Sequence, residues 1–151
     1  MEACVRPQIR ETGFDVLRTV GNVRTPARLV LVEDHQDSLE ALSVILGEKY
    51  EVFGYASPTE ALKAVEAVKP DVLVLDIGMG PIDGVECLKR IRAIRGADAP
   101  AVAFTGFARD RERQAFLAAG FQAVVVKPVD PGELVGVIDA LLSPALTVKR
   151  Q

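Results

Sequence analysis

The sequence has no tryptophan, only two cysteines and a single histidine, and just 5% of its 151 residues are aromatic. Cysteines as far apart as Cys4 and Cys87 indicate neither a disulfide scaffold nor a zinc site, and they suit a reducing compartment. An excess of basic residues is also missing, since the net charge is −3, which argues against a nucleic-acid partner. Apolar runs such as Ala123–Val126 are far too short to span a bilayer, and no signal-peptide pattern begins the chain. We therefore expect a cytoplasmic protein without a membrane span.

Length and hydrophobic content predict one folded domain with a flanking segment at each end. With 151 residues, 49% of them hydrophobic, the chain is long enough to bury one continuous core. Residues 1–27 show no clear period and end near a Thr25-Pro26 break, so we interpret them as an N-terminal extension or linker. The regular pattern covers residues 28–142, and residues 143–151 form a short C-terminal tail.

Strand-like and helix-like segments alternate along residues 28–142. The predicted strands are 29–32, 50–55, 72–75, 101–104 and 124–126, and helices are predicted at 58–68, 85–95, 110–119 and 131–142. A further helix is expected to begin at Asp37, which would cap it in a capping box with Glu40. The alternation predicts an α/β fold, a doubly wound five-stranded parallel sheet with helices on both faces. Both the dinucleotide-binding strand order and the flavodoxin-like order 2-1-3-4-5 fit this pattern.

Polar side chains end four of the predicted strands. Glu33 and Asp34 close the first strand, Asp76 the third, Thr105 the fourth and Lys127 the fifth. The carboxyl ends of parallel strands meet at one edge of a sheet, where ligands bind. Carboxylates that share a cleft repel one another unless a cation compensates them, and Mg²⁺ is often held by carboxylates together with a phosphate. A carboxylate can also form an aspartyl-phosphate, so the pattern favours a Mg²⁺-dependent phosphoryl site.

Four motifs with this order and spacing resemble the receiver domains of response regulators in two-component systems. They are LVLVEDHQDS, VLVLDIGMGPIDG, AVAFTGF and VVVKPVD, and the resemblance covers about residues 28–142. It implies the strand order 2-1-3-4-5 and transfer of a phosphoryl group from a histidine kinase or a phosphotransfer protein. Such a domain is not an enzyme beyond catalysing its own phosphorylation and dephosphorylation. Because the tail is too short for a helix-turn-helix, we expect it to act by binding a target, as a stand-alone component or as part of a hybrid kinase.

The resemblance implies a role for each residue of the acidic cluster. Asp76 would be the phosphoacceptor and a ligand of Mg²⁺. Asp34 would bind the metal directly, whereas Glu33 would assist through a water molecule. The backbone carbonyl of Gly78, two residues after the phosphoacceptor, matches the position of the third protein ligand.

The resemblance also implies which residues contact the phosphoryl group and which respond to it. Thr105 and Lys127 would contact the phosphoryl oxygens, and Pro128 matches a proline that usually follows a cis peptide bond. Most of the family has a mobile aromatic residue on the fifth strand, but here that position is Val124, which is too short and too stiff to swing. We therefore hypothesise that the loop aromatic Phe107 is the switch residue.

Three other functions compete with this interpretation. A nucleotide or flavin binder is expected to have a glycine-rich loop after the first strand, whereas residues 33–37 are acidic and lack glycine. An aspartyl-phosphate phosphatase is expected to have a DxD turn there, which is also missing. A pseudo-receiver that binds partners without phosphorylation stays open because Gly80 replaces the family's usual proline and Val124 its aromatic. Gly106 likewise replaces the usual alanine.

Overall fold

Five strands alternate with five helices along the described part of the chain. The computed structural model describes residues 26–78, 82–94, 96–106 and 108–143, so most of the predicted extension and tail lies outside the described residues. The strands are β1 (Arg28–Val32), β2 (Glu51–Tyr55), β3 (Val72–Asp76), β4 (Ala101–Thr105) and β5 (Ala123–Val126). The helices are α1 (Gln36–Leu46), α2 (Pro58–Val68), α3 (Gly84–Arg92), α4 (Asp110–Ala118) and α5 (Pro131–Leu142). Within these ranges, no helix combines the length and the apolar character needed to cross a bilayer.

All five strands are parallel, and their order in the sheet is β2-β1-β3-β4-β5. This confirms the predicted doubly wound fold and selects the flavodoxin-like order over the dinucleotide-binding one. Strand β1 lies between β2 and β3, so that Val30 is opposite Phe53 of β2 and Leu73 of β3. As a result, the carboxyl ends of β1 and β3 are neighbours, and those of β4 and β5 follow next to them.

The two faces of the sheet carry two separate hydrophobic clusters, because side chains alternate along each strand. Val30 and Val32 belong to the first cluster, which is covered by α2 and α3. Leu29 and Leu31 belong to the second cluster, which is covered by α1 and α5. All four of these side chains are fully buried, and burying each aliphatic side chain contributes about 1.5–3 kcal/mol. Burial on both faces explains why the strand is an uninterrupted apolar run.

Helix α4 is held differently from the other helices. None of its residues is buried, whereas each of the other four helices buries at least two residues. Phe116 is its half-buried contact with the first cluster, and Leu117 is 47% exposed. Little apolar area therefore holds α4 against the sheet.

Helix starts follow the predicted caps in some places but not in α1. Pro58 occupies the first turn of α2 as expected, with Ser57 as its N-cap. The prediction that Asp37 caps α1 is wrong, because α1 begins at Gln36 with His35 in the N-cap position. The His35 N–H instead donates to Glu33 Oε2 at 3.0 Å. The buried carboxylate of Glu33 thus accepts the backbone N–H of the N-cap residue. Asp37 lies in the first turn of the helix.

The helices that flank β4 differ from the predicted limits by a few residues. The chain enters α3 one residue earlier than predicted, and Asp83 caps this helix by accepting the Glu86 N–H at 2.9 Å. The α-helical pattern stops at Arg92, and a bond from Ala97 N–H to Ile94 O closes the following turn. Gly120 has a φ of +116°, a backbone conformation that only glycine adopts readily. It lies two residues after the last residue of α4 and terminates this helix as predicted.

Candidate functional site

The polar residues of the four predicted strand ends lie at one edge of the sheet. Glu33 directly follows β1, Asp76 and Thr105 are the last residues of β3 and β4, and Lys127 directly follows β5. Backbone bonds extend the ladder to this edge, since Glu33 N–H donates to Tyr55 O at 3.1 Å and Lys127 N–H to Thr105 O at 2.7 Å. The parallel register therefore brings together side chains that are far apart in sequence.

Three carboxylates form the centre of this edge. Glu33, Asp34 and Asp76 each offer one oxygen, and these oxygens all lie within 4.8 Å of one another. Glu33 is fully buried, Asp76 is 4% exposed and Asp34 is exposed. Mg²⁺ prefers oxygen ligands and is often held by one or two carboxylates together with waters and a phosphate, so the ligand chemistry of the cluster suits this ion. The exposed side at Asp34 leaves room for water and for a phosphate.

Both oxygens of Asp76 are held by protein donors. Its Oδ1 accepts the backbone N–H of Gly78 at 3.1 Å, and its Oδ2 lies 3.3 Å from Lys127 Nζ. The start of α3 packs against the same residue, since a Cβ atom on Gly84 would lie 2.5 Å from the Asp76 carbonyl oxygen. The carboxylate is therefore fixed in position at the end of β3 while still facing the cleft.

Both oxygens of Glu33 are held by protein donors. Its Oε2 accepts the His35 N–H at 3.0 Å, and its Oε1 accepts a hydrogen bond from Lys127 Nζ at 3.1 Å. Burial raises the pKa of Glu33, and the charge of Asp76 adds to this effect, although the two hydrogen bonds oppose it. Glu33 therefore helps to hold the ammonium of Lys127 in position, independently of any metal contact.

Lys127 is the positive charge of the site. Burial alone would lower its pKa, but hydrogen bonds and charge from Glu33 and Asp76 outweigh burial and raise the pKa. The ammonium also lies over the ring of Phe104, 4.7 Å from its centroid. The Lys127–Pro128 peptide bond is cis, as expected. One ammonium faces three carboxylates, so negative charge remains in excess and a bound cation would compensate it.

Two of the three departures from the family pattern, Val124 and Gly106, lie within the described residues. Val124 is half-buried and packs against the first cluster, so it is a core residue of β5. A Cβ atom on Gly106 would meet nothing within 4 Å, and space therefore does not require glycine there. Phe107, the predicted switch residue, and Gly80 lie outside the described residues, so both interpretations stay predictions. The metal contact of the Gly78 carbonyl also stays a prediction.

Two residues next to the site were missed by the sequence reasoning, namely Phe104 and Gly84. Phe104 looks like any apolar residue of a buried strand, although its place one residue before Thr105 could have indicated contact with the site. Gly84 opens α3 and could have been suspected from its place directly after the capping Asp83. Neither signal identifies a partner, because the Phe104 contact depends on the register between β4 and β5, and the Gly84 contact depends on how α3 packs against the end of β3.

Fold and site together define a flavodoxin-like domain with an acidic, lysine-containing cleft, and comparison with known proteins agrees. The family model for the response regulator receiver domain matches residues 29–139. The chain therefore belongs to the response regulator receiver domain family. An uncharacterized 14.6 kDa protein of Leptolyngbya boryana is 36% identical over 112 residues, covering 73% of this chain and 86% of that protein.

Other relatives include longer regulators and solved receiver structures. The transcriptional regulatory protein PrrA of Mycobacterium tuberculosis is 34% identical over 119 residues, or 78% of this chain, but this chain spans only about half (51%) of PrrA. A CheY-like receiver domain protein from Methanospirillum hungatei has a TM-score of 0.69 at 30% identity, covering 77% of this chain and 93% of that one. Chemotaxis protein CheY4 of Vibrio cholerae has a TM-score of 0.73 at 26% identity, covering 77% and 98%.

Proposed function

We propose that this receiver domain accepts a phosphoryl group on Asp76 from a histidine kinase or a phosphotransfer protein, and that phosphorylation changes its binding to a target. The observation that carries the proposal is the position of the Asp76 carboxylate. It is held by Gly78 N–H and Lys127 Nζ and lies within metal-ligand range of Glu33 and Asp34. A nucleophile needs this combination of fixed position, nearby cation and an open side.

In the proposed step an oxygen of the Asp76 carboxylate forms a bond to phosphorus. The bond between phosphorus and the donor's imidazole nitrogen breaks, and its electron pair stays on that nitrogen. Lys127, whose ammonium already lies 3.3 Å from Asp76 Oδ2, compensates charge on the phosphoryl oxygens. Thr105 lies at the end of the neighbouring strand and would contribute a hydroxyl to the same oxygens.

Mg²⁺ is the cofactor in this proposal. Glu33, Asp34, Asp76 and the Gly78 carbonyl are the residues that would hold it, with Glu33 acting through water. When bound, the ion supplies positive charge that offsets repulsion between the carboxylates and an incoming phosphate. The chain's own contribution is to keep the acidic cluster together through the bonds of Glu33 to His35 and Lys127.

Phosphorylation is proposed to act through a switch residue and a protein target in the cytoplasm. Phe107 is the residue proposed to respond to phosphorylation, in place of an aromatic residue on β5. The target is a protein, the domain works in the cytoplasm, and it catalyses no reaction other than its own phosphorylation and dephosphorylation. The proposal assigns this chain no nucleic-acid partner.

Phosphorylation can be tested with acetyl phosphate as a small donor and intact mass as the readout. Wild-type protein should gain one phosphoryl group in the presence of Mg²⁺ and none with a chelator. Asp76→Asn should gain none, whereas Asp110→Asn, a change at an exposed aspartate in the first turn of α4, should be labelled like wild type. If Asp76→Asn were labelled as much as wild type, another residue would be the phosphoacceptor. If wild type were not labelled, the result would support a pseudo-receiver.

A further inference from the structure

An aromatic ring lies directly against the ammonium of the site. Phe104 is 3% exposed, and the centroid of its ring is 4.7 Å from Lys127 Nζ. A cation within about 6 Å of a ring centroid is attracted by the negative face of the ring, and the attraction grows when the pair is desolvated. The ammonium of Lys127 therefore lies against an aromatic ring in addition to its contacts with Glu33 and Asp76.

The register of the sheet creates this contact. Phe104 lies opposite Asp76 of β3 and opposite Val125 of β5. Side chains alternate along a strand, so Lys127, two residues after Val125, projects from the same face as Val125. Phe104 and Val125 both belong to the second cluster, which fixes the ring below the site. The contact thus links the packed core to the reactive edge.

The ring differs from the carboxylates in what phosphorylation does to it. An ammonium has three N–H donors, and those of Lys127 serve Glu33 Oε1 and Asp76 Oδ2. Once an Asp76 oxygen is bonded to phosphorus in an acyl phosphate, the carboxyl group loses its negative charge and much of its attraction for the ammonium. The quadrupole of the ring is unchanged by the reaction. A ring contact can therefore keep the ammonium in place while its hydrogen-bond partners are exchanged.

We propose that Phe104 is a positioning residue for Lys127, and that its ring face holds the ammonium where the phosphoryl oxygens arrive. The effect on reaction rate rests on the proposed phosphorylation of Asp76. The effect on the position of Lys127 does not, because it exists in the unphosphorylated protein.

A fluorinated phenylalanine series at position 104 separates this role from packing. Replacing Phe104 by mono-, di- and trifluorinated phenylalanine weakens the negative face of the ring stepwise and changes its size little. The logarithm of the rate of Asp76 labelling by acetyl phosphate should fall steadily with fluorine number, reaching about five-fold for the trifluorinated ring. Phe104→Leu should show a similar loss. Phe121→Leu removes an equally buried ring from the first cluster and should leave the labelling rate unchanged.

The second readout is the position of Lys127, followed by NMR of its side-chain methylene next to Nζ without any phosphate donor. In wild type the ring current of Phe104 should displace this resonance, and Phe104→Leu should abolish the displacement while Phe121→Leu preserves it. Labelling rates independent of fluorination would overturn the proposal, as would a wild-type resonance without displacement. If wild type is not labelled at all, the proposed function fails, and the NMR result still decides whether Phe104 positions Lys127. Should Phe104→Leu not fold, the nearly isosteric fluorinated series remains decisive.

Discussion

Replacing Gly84 by alanine tests whether the first turn of α3 is as close to the phosphoacceptor as the structure indicates. The N–H of Gly84 donates to Ile77 O at 3.1 Å. A Cβ atom at position 84 would lie 2.5 Å from the carbonyl oxygen of Asp76 and 2.9 Å from Cα of Ile77. Both are backbone atoms, so no change of side-chain rotamer removes the overlap. Either α3 or the end of β3 must move.

The expected loss of stability follows from these contacts. Overpacking typically costs about 1–3 kcal/mol, and weakening the hydrogen bond to Ile77 O adds about 1 kcal/mol. We expect Gly84→Ala to lower the free energy of unfolding by about 2–4 kcal/mol and Tm by roughly 10 °C for a domain of this size. Labelling of Asp76 by acetyl phosphate should slow as well, because the displaced atom belongs to the phosphoacceptor.

Urea unfolding followed by circular dichroism measures the free energy directly. Gly136→Ala is the matched control, since position 136 lies within α5 and a Cβ atom there meets nothing within 4 Å. Alanine is the better helix former by about 1 kcal/mol, so this variant should be more stable than wild type. If the free energy of unfolding of Gly84→Ala lies within about 0.5 kcal/mol of the wild-type value, α3 does not approach Asp76 this closely.

Three further predictions concern polar groups away from the site. Burial would raise the pKa of Asp139, but hydrogen bonds from Lys49 and Tyr50 outweigh it and lower the pKa. The ionised form therefore stabilises the fold above the ordinary value of 3.8, and this contribution is lost as pH falls through the lowered value. Urea titrations should give a stability difference between wild type and Asp139→Asn that is constant above about pH 5 and shrinks as the pH falls below the ordinary value and through the lowered one; a difference that does not change over this acid range would rule out an electrostatic origin. Ser43 Oγ is buried and has no hydrogen-bond partner among the described residues, so Ser43→Ala should be as stable as wild type or gain up to about 1 kcal/mol, and a clear loss would reveal a partner. Burial raises the pKa of Cys87 to about 11, so mass spectrometry after alkylation near neutral pH should find Cys87 modified only in denaturant, and modification of the folded protein would show that the core opens.

The sheet could be predicted from the sequence because its strands are buried on both faces. Leu29–Val32 and Val72–Leu75 are unbroken β-branched or leucine runs, and a polar residue follows each of them. Parallel pairing then requires the strand ends to share one edge, which is why Glu33, Asp76 and Lys127 could be grouped from the sequence. The order of the strands could be predicted only from the resemblance to receiver domains, because the alternation of strands and helices along the sequence is the same in both doubly wound orders.

Contacts that depend on side-chain direction or strand alignment could not be predicted. The start of α1 was misplaced because the buried carboxylate of Glu33, not a side chain within the helix, accepts the His35 N–H. The two residues are only two positions apart, but the direction of the Glu33 side chain depends on its burial at the end of β1, which a helix-capping pattern does not include. The ring of Phe104 beneath Lys127 was missed for a related reason. It results from the register between β4 and β5, which no local pattern of residues specifies.

The weak burial of α4 has a consequence for how the domain can open. Local opening of a helix exposes the apolar area that holds it, and α4 buries no complete residue. The free energy of opening α4 should therefore be well below that of global unfolding, and its amides should exchange with solvent before those of the sheet. This helix lies just after β4, whose last residue, Thr105, belongs to the site. The domain thus combines a rigid reactive edge with an adjoining segment that can leave its native position at little energetic cost.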